Sequence, residues 1–207
     1  MQIDILTLFP DMFLGPFDYS IVKRAQEKLG LKIKVHNLRQ WATDKYKSVD
    51  DQPYGGGAGM IMRVDIIDSA ISKIKGQKSK VILLDAGGER FNQERAISLA
   101  KSEHLIFICG HYEGIDHRVH EHLADEVISI GDYVLSGGEI PAMVLIDSVV
   151  RLLPGALGNQ DSLKEESHTN AQAEYPQYTR PENYKGWRVP QVLLSGNHKQ
   201  IGDWKKI

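Results

Sequence analysis

The sequence predicts an α/β protein whose mainly parallel sheet is covered by helices on both faces. Three observations lead there. Short β-rich runs alternate with helical patterns through the first three quarters of the 207 residues. Several of those runs are continuously apolar and lack the alternation of a sheet with one wet face. Glycine-bearing turns follow apolar runs, as they do where loops at the carboxyl ends of strands line a ligand crevice.

The elements follow in order. "QIDILTLF" (Gln2 to Phe9) reads as the first strand, and "SIVKRAQEKLG" as a helix with Ser20 as N-cap and Gly30 as its stop. "LKIKVHNL" (Leu31 to Leu38) is the second strand, and "VDIIDSAISKIKG" is a helix closed by Gly76. "KVILLDA" (Lys80 to Ala86), "HLIFICG" (His104 to Gly110) and "DEVISI" (Asp125 to Ile130) complete the strands, with a helix "NQERAISLAKS" capped by Asn92. A last helix spans roughly Glu139 to Leu153. Its Ile140, Met143, Val144, Ile146, Val149, Val150 and Leu153 predict one buried face, and Pro154 and Gly155 end it.

Beyond that helix the composition changes. "GNQDSLKEESHTNAQAEY" offers almost nothing to bury, so residues 158–175 are expected to be a flexible linker between a first domain (1–157) and a small C-terminal one (176–207). With 42% apolar and 25% charged residues, the chain is expected to fold around a real core. No apolar run reaches the ~18 residues of a membrane span, and the start has no secretory signal pattern. No membrane contact and a cytoplasmic location are expected. The single cysteine, Cys109, reads as a small buried hydrophobe. A net charge of -2 excludes a strong global field for nucleic acid, but not a local basic patch.

The candidate site rests on "DAGGER" (Asp85 to Arg90), "CGHYEGID" (Cys109 to Asp116) and "IGDYVLSGGEIP" (Ile130 to Pro141). Neither GxGxxG nor GxxxxGK[ST] is present, which argues against a Rossmann dehydrogenase and against a P-loop. A fourth cluster, "DQPYGGGAGM", serves either close approach or motion, with a plain linker slightly favoured by composition. His117, His120 and His122 complete no zinc spacing and read as a solvated helix face. No metal ligand set is predicted, and nothing in the sequence indicates a magnesium requirement.

"QIDILTLFPDMF", "DQPYGGGAGM", "CGHYEGID", "SIGDYVLSGGEIPAMVLIDSVVRLLPGALG" and "YTRPENYKGWRVPQVLLSGNHKQI" together resemble, in order along the chain, the bacterial tRNA (guanine-N1)-methyltransferase family (TrmD). The resemblance implies a SPOUT fold: a parallel sheet with helices on both faces, a deep C-terminal trefoil knot and a small, mainly helical C-terminal domain. It implies S-adenosylmethionine as methyl donor, tRNA as substrate, and a homodimer with its active site at the subunit interface. Carried over by residue, the donor would be held by Leu84, Gly110, Glu113, Ile130, Gly131, Asp132, Tyr133, Val134, Leu135, Gly137, Gly138 and Pro141. Arg151 would be the family's arginine.

Three departures stand out. An ungapped reading from "PGALG" puts Glu166 where the family has an aspartate base, with Asp161 a weaker alternative. "LLDAGGERF" replaces a Ser-Pro-Gln-Gly turn. The family continues with further helices past "SGNHKQIGDW", so the tRNA-binding piece here is expected to be either a short form or a truncated one. The alternative reading is a non-catalytic SPOUT-like module that binds cofactor or RNA.

Overall fold

A computed structural model of the chain describes residues 1–157 and 175–205. They fall into two compact units, Met1–Gln160 and Asp161–Ile207.

The first unit is built on five parallel strands: β1 (Gln2–Thr7), β2 (Lys32–Asn37), β5 (Ser79–Arg90), β6 (His104–Cys109) and β7 (Glu126–Ser129). Their order in the sheet is β2-β1-β6-β5-β7, every pair parallel. Continuous apolar strands result because both faces are covered. Ile3, Ile5, Ile82, Leu84, Leu105, Phe107 and Cys109 face one core, with Val22 and Ala25 of α1 (Ser20–Leu29), Leu99 of α3 (Gln93–Leu99) and the inner side of α5 (Glu139–Val150). Leu6, Val81, Leu83, Ile106 and Ile108 face the other, with α2 (Val64–Ile74) and Val119 of α4 (Arg118–His122). Each odd-even step along a strand changes core.

Several boundaries differ from the sequence reading. Ser20 is the first helical residue of α1 rather than its cap: Tyr19 holds the N-cap position in an extended conformation without a side-chain hydrogen bond. Gly30 does end α1, with a left-handed φ of 68° that glycine adopts freely. Asn92 caps α3 as expected, its Oδ1 accepting the Arg95 N–H at 2.9 Å. Helix α2 stops at Ile74, before Gly76, and α5 stops at Val150, before Leu153.

Helix α5 also departs from a one-sided face. Pro141, Ala142, Leu145 and Ile146 are buried, while Ile140 is 51% and Val144 40% exposed, so the apolar surface wraps round both sides.

The largest difference lies in β5. The sequence suggests a strand ending in a glycine turn, but the chain regains its pairing: Leu84 and Glu89 both register with Ile128, and the four residues between them bulge outward. Gly88 permits the return, because a Cβ there would sit 2.7 Å from the Ile128 nitrogen.

In the second unit, β8 (Asn183–Tyr184) and β9 (Trp187–Arg188) form a hairpin whose two turn residues, Lys185 and Gly186, both have positive φ. That is the twist a two-residue hairpin favours. Two short helices follow, α6 (Gln191–Leu194) and α7 (His198–Trp204). None of the unit's described side chains is buried. Tyr175 and Tyr178 pack on Trp204 at 6.3 and 6.2 Å between ring centres.

Candidate functional site

The carboxyl ends of the three adjacent strands β6, β5 and β7 meet in a cleft. It is lined by Leu84, Asp85 and Ala86 from the β5 bulge, by Gly110 to Ile115 after β6, and by Ile128 to Gly131 and Tyr133 to Gly138 after β7, with Pro141 of α5. Parallel strands expose these ends together, so loops distant in sequence share one wall.

The glycines have distinct reasons. A Cβ on Gly138 would stand 2.6 Å from the Cys109 Cα and 2.9 Å from the Gly110 nitrogen, and the Gly138 N–H donates to the Gly110 carbonyl at 2.9 Å. The two loops therefore pass backbone against backbone, which only glycine allows. In the facing turn, Tyr112 takes a φ of 60° and Gly114 one of 136°. A tyrosine held left-handed is an uncommon arrangement, of the sort found at ligand-binding turns.

The triple-glycine cluster is no plain linker. It joins β3 (Asp50–Asp51) to β4 (Ile61–Met62), which pair antiparallel, and Gly55, Gly56, Gly57 and Gly59 all have positive φ. Its far end is fastened to the cleft: Glu113 N donates to Met60 O at 3.1 Å, and Met62 N to Gly114 O at 3.0 Å. Any side chain at Gly59 would collide with Glu113.

Behind the cleft wall lies a carboxylate that the sequence reading missed. Glu139, the first residue of α5, is 1% exposed and accepts the Thr7 hydroxyl at 2.6 Å. Thr7 in turn accepts the Phe9 N–H at 2.9 Å, so the end of β1 is tied to the start of α5. A helix N-terminus suits a carboxylate. The signal was visible: an acid directly after the glycine pair in "SGGEIP". Cys109 beside it is fully buried, and burial first, then the Glu139 charge, pushes its thiol well above the usual range. It is an inert packing group.

Histidines add a second correction. His117 and His122 are exposed, but His120 turns inward: its Nε2 lies 3.2 Å from Asp85 Oδ2, and its buried Nδ1 has no partner. The Nδ1 of His111, also buried, likewise has none, and that ring packs on Phe9 at 4.8 Å. Among the described residues no group of three His, Cys, Asp or Glu is placed to hold a metal ion.

Of the residues singled out from the sequence, Leu84, Gly110, Glu113, Ile130, Gly131, Tyr133, Val134, Leu135, Gly137, Gly138 and Pro141 all line the cleft. The side chain of Asp132 does not: it is 85% exposed and pairs with Arg90, so only its backbone belongs to the loop. Arg151 follows α5 directly, partly buried, its N–H on the Asp147 carbonyl at 3.2 Å, and it is not among the cleft-lining residues. Glu166 and Asp161 lie outside the described residues. Asp85 and His111 lie in the loops the sequence singled out but are not among the donor contacts the resemblance implies, and both line the cleft.

A second depression, lined by Glu89, Arg95, Asp125 and Glu126 among others, is crossed by ion pairs from Arg95 to Glu89 and Glu126. Its one arginine is already taken up by two of its acids. The glycine-walled cleft is the candidate site.

Comparison with known proteins gives the family. The tRNA (Guanine-1)-methyltransferase TrmD family matches the chain over residues 1–207. A tRNA (guanine-N(1)-)-methyltransferase of Carboxydothermus hydrogenoformans is 56% identical over 206 residues, all of this chain and 81% of that protein. Proteins of the same name from Dictyoglomus turgidum and Bacillus cereus are each 55% identical, covering 100% and 99% of this chain and 84% and 85% of their own lengths. With a match along its whole length and more than half its residues shared with each of these relatives, the chain belongs to the tRNA (guanine-1)-methyltransferase TrmD family.

Proposed function

We propose that this chain transfers a methyl group from S-adenosylmethionine to N1 of the guanine directly 3′ of the anticodon in tRNA. The observation that carries the reading is the glycine-walled cleft, where Gly138 runs against Cys109 and Gly110, in a chain that belongs to this family. That backbone cradle has room for a ligand edge where any side chain would stand in the way. The apolar Leu84, Ile115, Ile128, Leu135 and Pro141 suit an adenine face, and the loop backbone of Ile130 to Leu135 supplies amides and carbonyls for its edge and for the ribose. The close passage of residues 137–138 by the end of β6 is also what a SPOUT-type trefoil knot requires of its backbone.

S-adenosylmethionine supplies an electrophilic methyl on a sulfonium when bound. The protein's task is to make N1 a nucleophile and hold it in line. N1 carries a proton at neutral pH, so Glu166 acts as the general base, and Arg151 faces O6 to stabilise the negative charge that develops there. The sequence puts the two residues fifteen positions apart, on either side of the start of the linker (158–175). The active site is completed by a second subunit. The exposed Ile140 and Val144 of α5 offer apolar surface suited to that partner.

The piece 176–207 is the tRNA-binding element. It holds six Lys or Arg against two Asp or Glu, with Trp187 73% exposed and Lys185 over Tyr184. Exposed aromatic rings among cations suit RNA bases and phosphates.

The test is labelled methyl transfer to a tRNA transcript with guanine at that position, against the same transcript with adenine there. Label is expected only in the first. Donor binding without label in either would leave the non-catalytic module as the reading. Glu166→Gln is expected to abolish most turnover while donor affinity stays within about twofold; near-wild-type methylation would remove Glu166 from the mechanism.

A further inference from the structure

The charge of the cleft lining is one-sided. Among its residues the charged side chains are Asp85 and Glu113, both acids, with no lysine or arginine. Neither is paired with a lysine or arginine among the described residues. Asp85 is held in place rather than neutralised: its Oδ1 accepts the Gly87 N–H at 2.8 Å, and its Oδ2 faces His120 Nε2 at 3.2 Å. Since a carboxylate oxygen only accepts, His120 donates through Nε2, and its buried Nδ1 is left with no partner. A third carboxylate, Glu139, stands behind Gly137 with a neutral hydroxyl as its partner. Such a lining, partly shielded from water, favours a cation over a neutral ligand of the same shape.

We infer that Asp85 and Glu113 make the cleft discriminate by charge between the methyl donor and its demethylated product. The inference rests on the donor reading above. As the methyl carbon bonds to guanine N1, its bond to sulfur breaks and sulfur keeps the electron pair. The sulfonium thereby becomes a neutral thioether, and the N1 proton passes to the base. The ligand loses one positive charge and little of its shape. A lining that carries carboxylates and no cation therefore loses its attraction at the moment of transfer, which promotes release of the product and limits its competition with fresh donor.

Calorimetric titration of the full chain with S-adenosylmethionine, S-adenosylhomocysteine and sinefungin, which carries an ammonium in place of the sulfonium, tests the proposal. The wild-type protein is expected to prefer the donor over the product by about tenfold at ~50 mM salt, with sinefungin following the donor, and the preference should shrink at ~500 mM. Asp85→Asn should reduce the preference about threefold or more by weakening the donor and sinefungin while the product stays within about twofold. Glu113→Gln provides the same readout independently if Asp85→Asn disturbs folding. An unchanged preference in both variants, with all three ligands still bound, overturns the inference and leaves the donor site standing. Failure of the wild-type protein to bind any of the three overturns the donor reading and this inference with it.

Discussion

At the amino-terminal half of the sheet, the buried Asp4 carboxylate takes hydrogen bonds from His36 at 2.5 Å, His104 at 2.7 Å and Gln2 at 2.5 Å. At the carboxyl edge of the same strands, Asp85 and Glu113 face an open cleft, and two histidine nitrogens are buried without partners. The first arrangement is closed. His104 donates through Nε2 to Asp4, and its Nδ1, the acceptor in the neutral ring, meets the Ser79 hydroxyl at 2.6 Å, which itself accepts the Gly76 N–H at 2.7 Å. The carboxylate joins β1, β2 and β6 directly, and His104 extends the network to Ser79 of β5. At the carboxyl edge, polar groups are held in position and left available. One sheet thus spends its polar groups on cohesion at one end and on a ligand at the other.

The largest expected effect comes from breaking the closed end. Asp4→Ala removes the shared acceptor and leaves two histidines and Gln2 facing one another, a change expected to destabilise the first unit by about 3–5 kcal/mol in urea unfolding. Donor affinity of the folded fraction should not change. A loss below ~1 kcal/mol would show that the network is incidental, and a collapse of donor affinity in folded protein would show that the two ends are not separable.

Acid provides the next test. Burial raises the Asp4 pKa, but the hydrogen bonds from His36, Gln2 and His104 and the His36 charge outweigh burial and lower it from 3.8 to about 2. A pKa depressed in the folded state contributes stability that is present above the unfolded value and lost as pH falls through the folded one. Unfolding free energy should therefore decline from about pH 4 through pH 2, by about 2.5 kcal/mol from this group. In Asp4→Asn that component should be missing from the pH profile.

How much of this contrast was legible in the sequence depends on what local pattern can carry. The alternation of strands and helices was readable because apolar runs and caps such as Asn92 are local, and the glycine loops were readable because Gly137 and Gly138 have few other uses so close to a helix start. The network around Asp4 was not readable, since its partners His36 and His104 lie 32 and 100 residues away and meet it only through strand register. The β5 bulge escaped for a related reason: "DAGGER" has turn composition, and only the second pairing with Ile128 makes the chain a strand again. His120 looked solvated because a short helix with two exposed histidines gives no sign that the third meets Asp85 across the cleft wall. Exposed Ile140 and Val144 could not be told from core positions, since periodicity reports apolar residues and not what covers them.

Gly138→Ala attacks the open end. Its new Cβ meets backbone at 2.6 Å, so either the loop or the end of β6 must move. A cost of about 1–3 kcal/mol is expected, with donor binding lost beyond measurement while the acid profile assigned to Asp4 survives. Tight donor binding by the variant would mean that the close passage is not part of the site.

The smallest effect belongs to a side-chain connection between the ends. Thr7 closes β1, the strand that carries Asp4, and its hydroxyl bonds Glu139 at the start of the helix behind the cleft. Thr7→Val keeps shape and removes both the donor to Glu139 and the acceptor for Phe9 N–H, at an expected cost of about 1–2 kcal/mol. Thr7→Ser retains the hydroxyl and should recover most of it. If the bond also fixes the cleft wall, Thr7→Val should weaken donor and product together, leaving their ratio at the wild-type value, because it moves the glycine loop without changing the charges that face the ligand. A changed ratio would place Glu139, rather than Asp85 and Glu113, in control of charge selection.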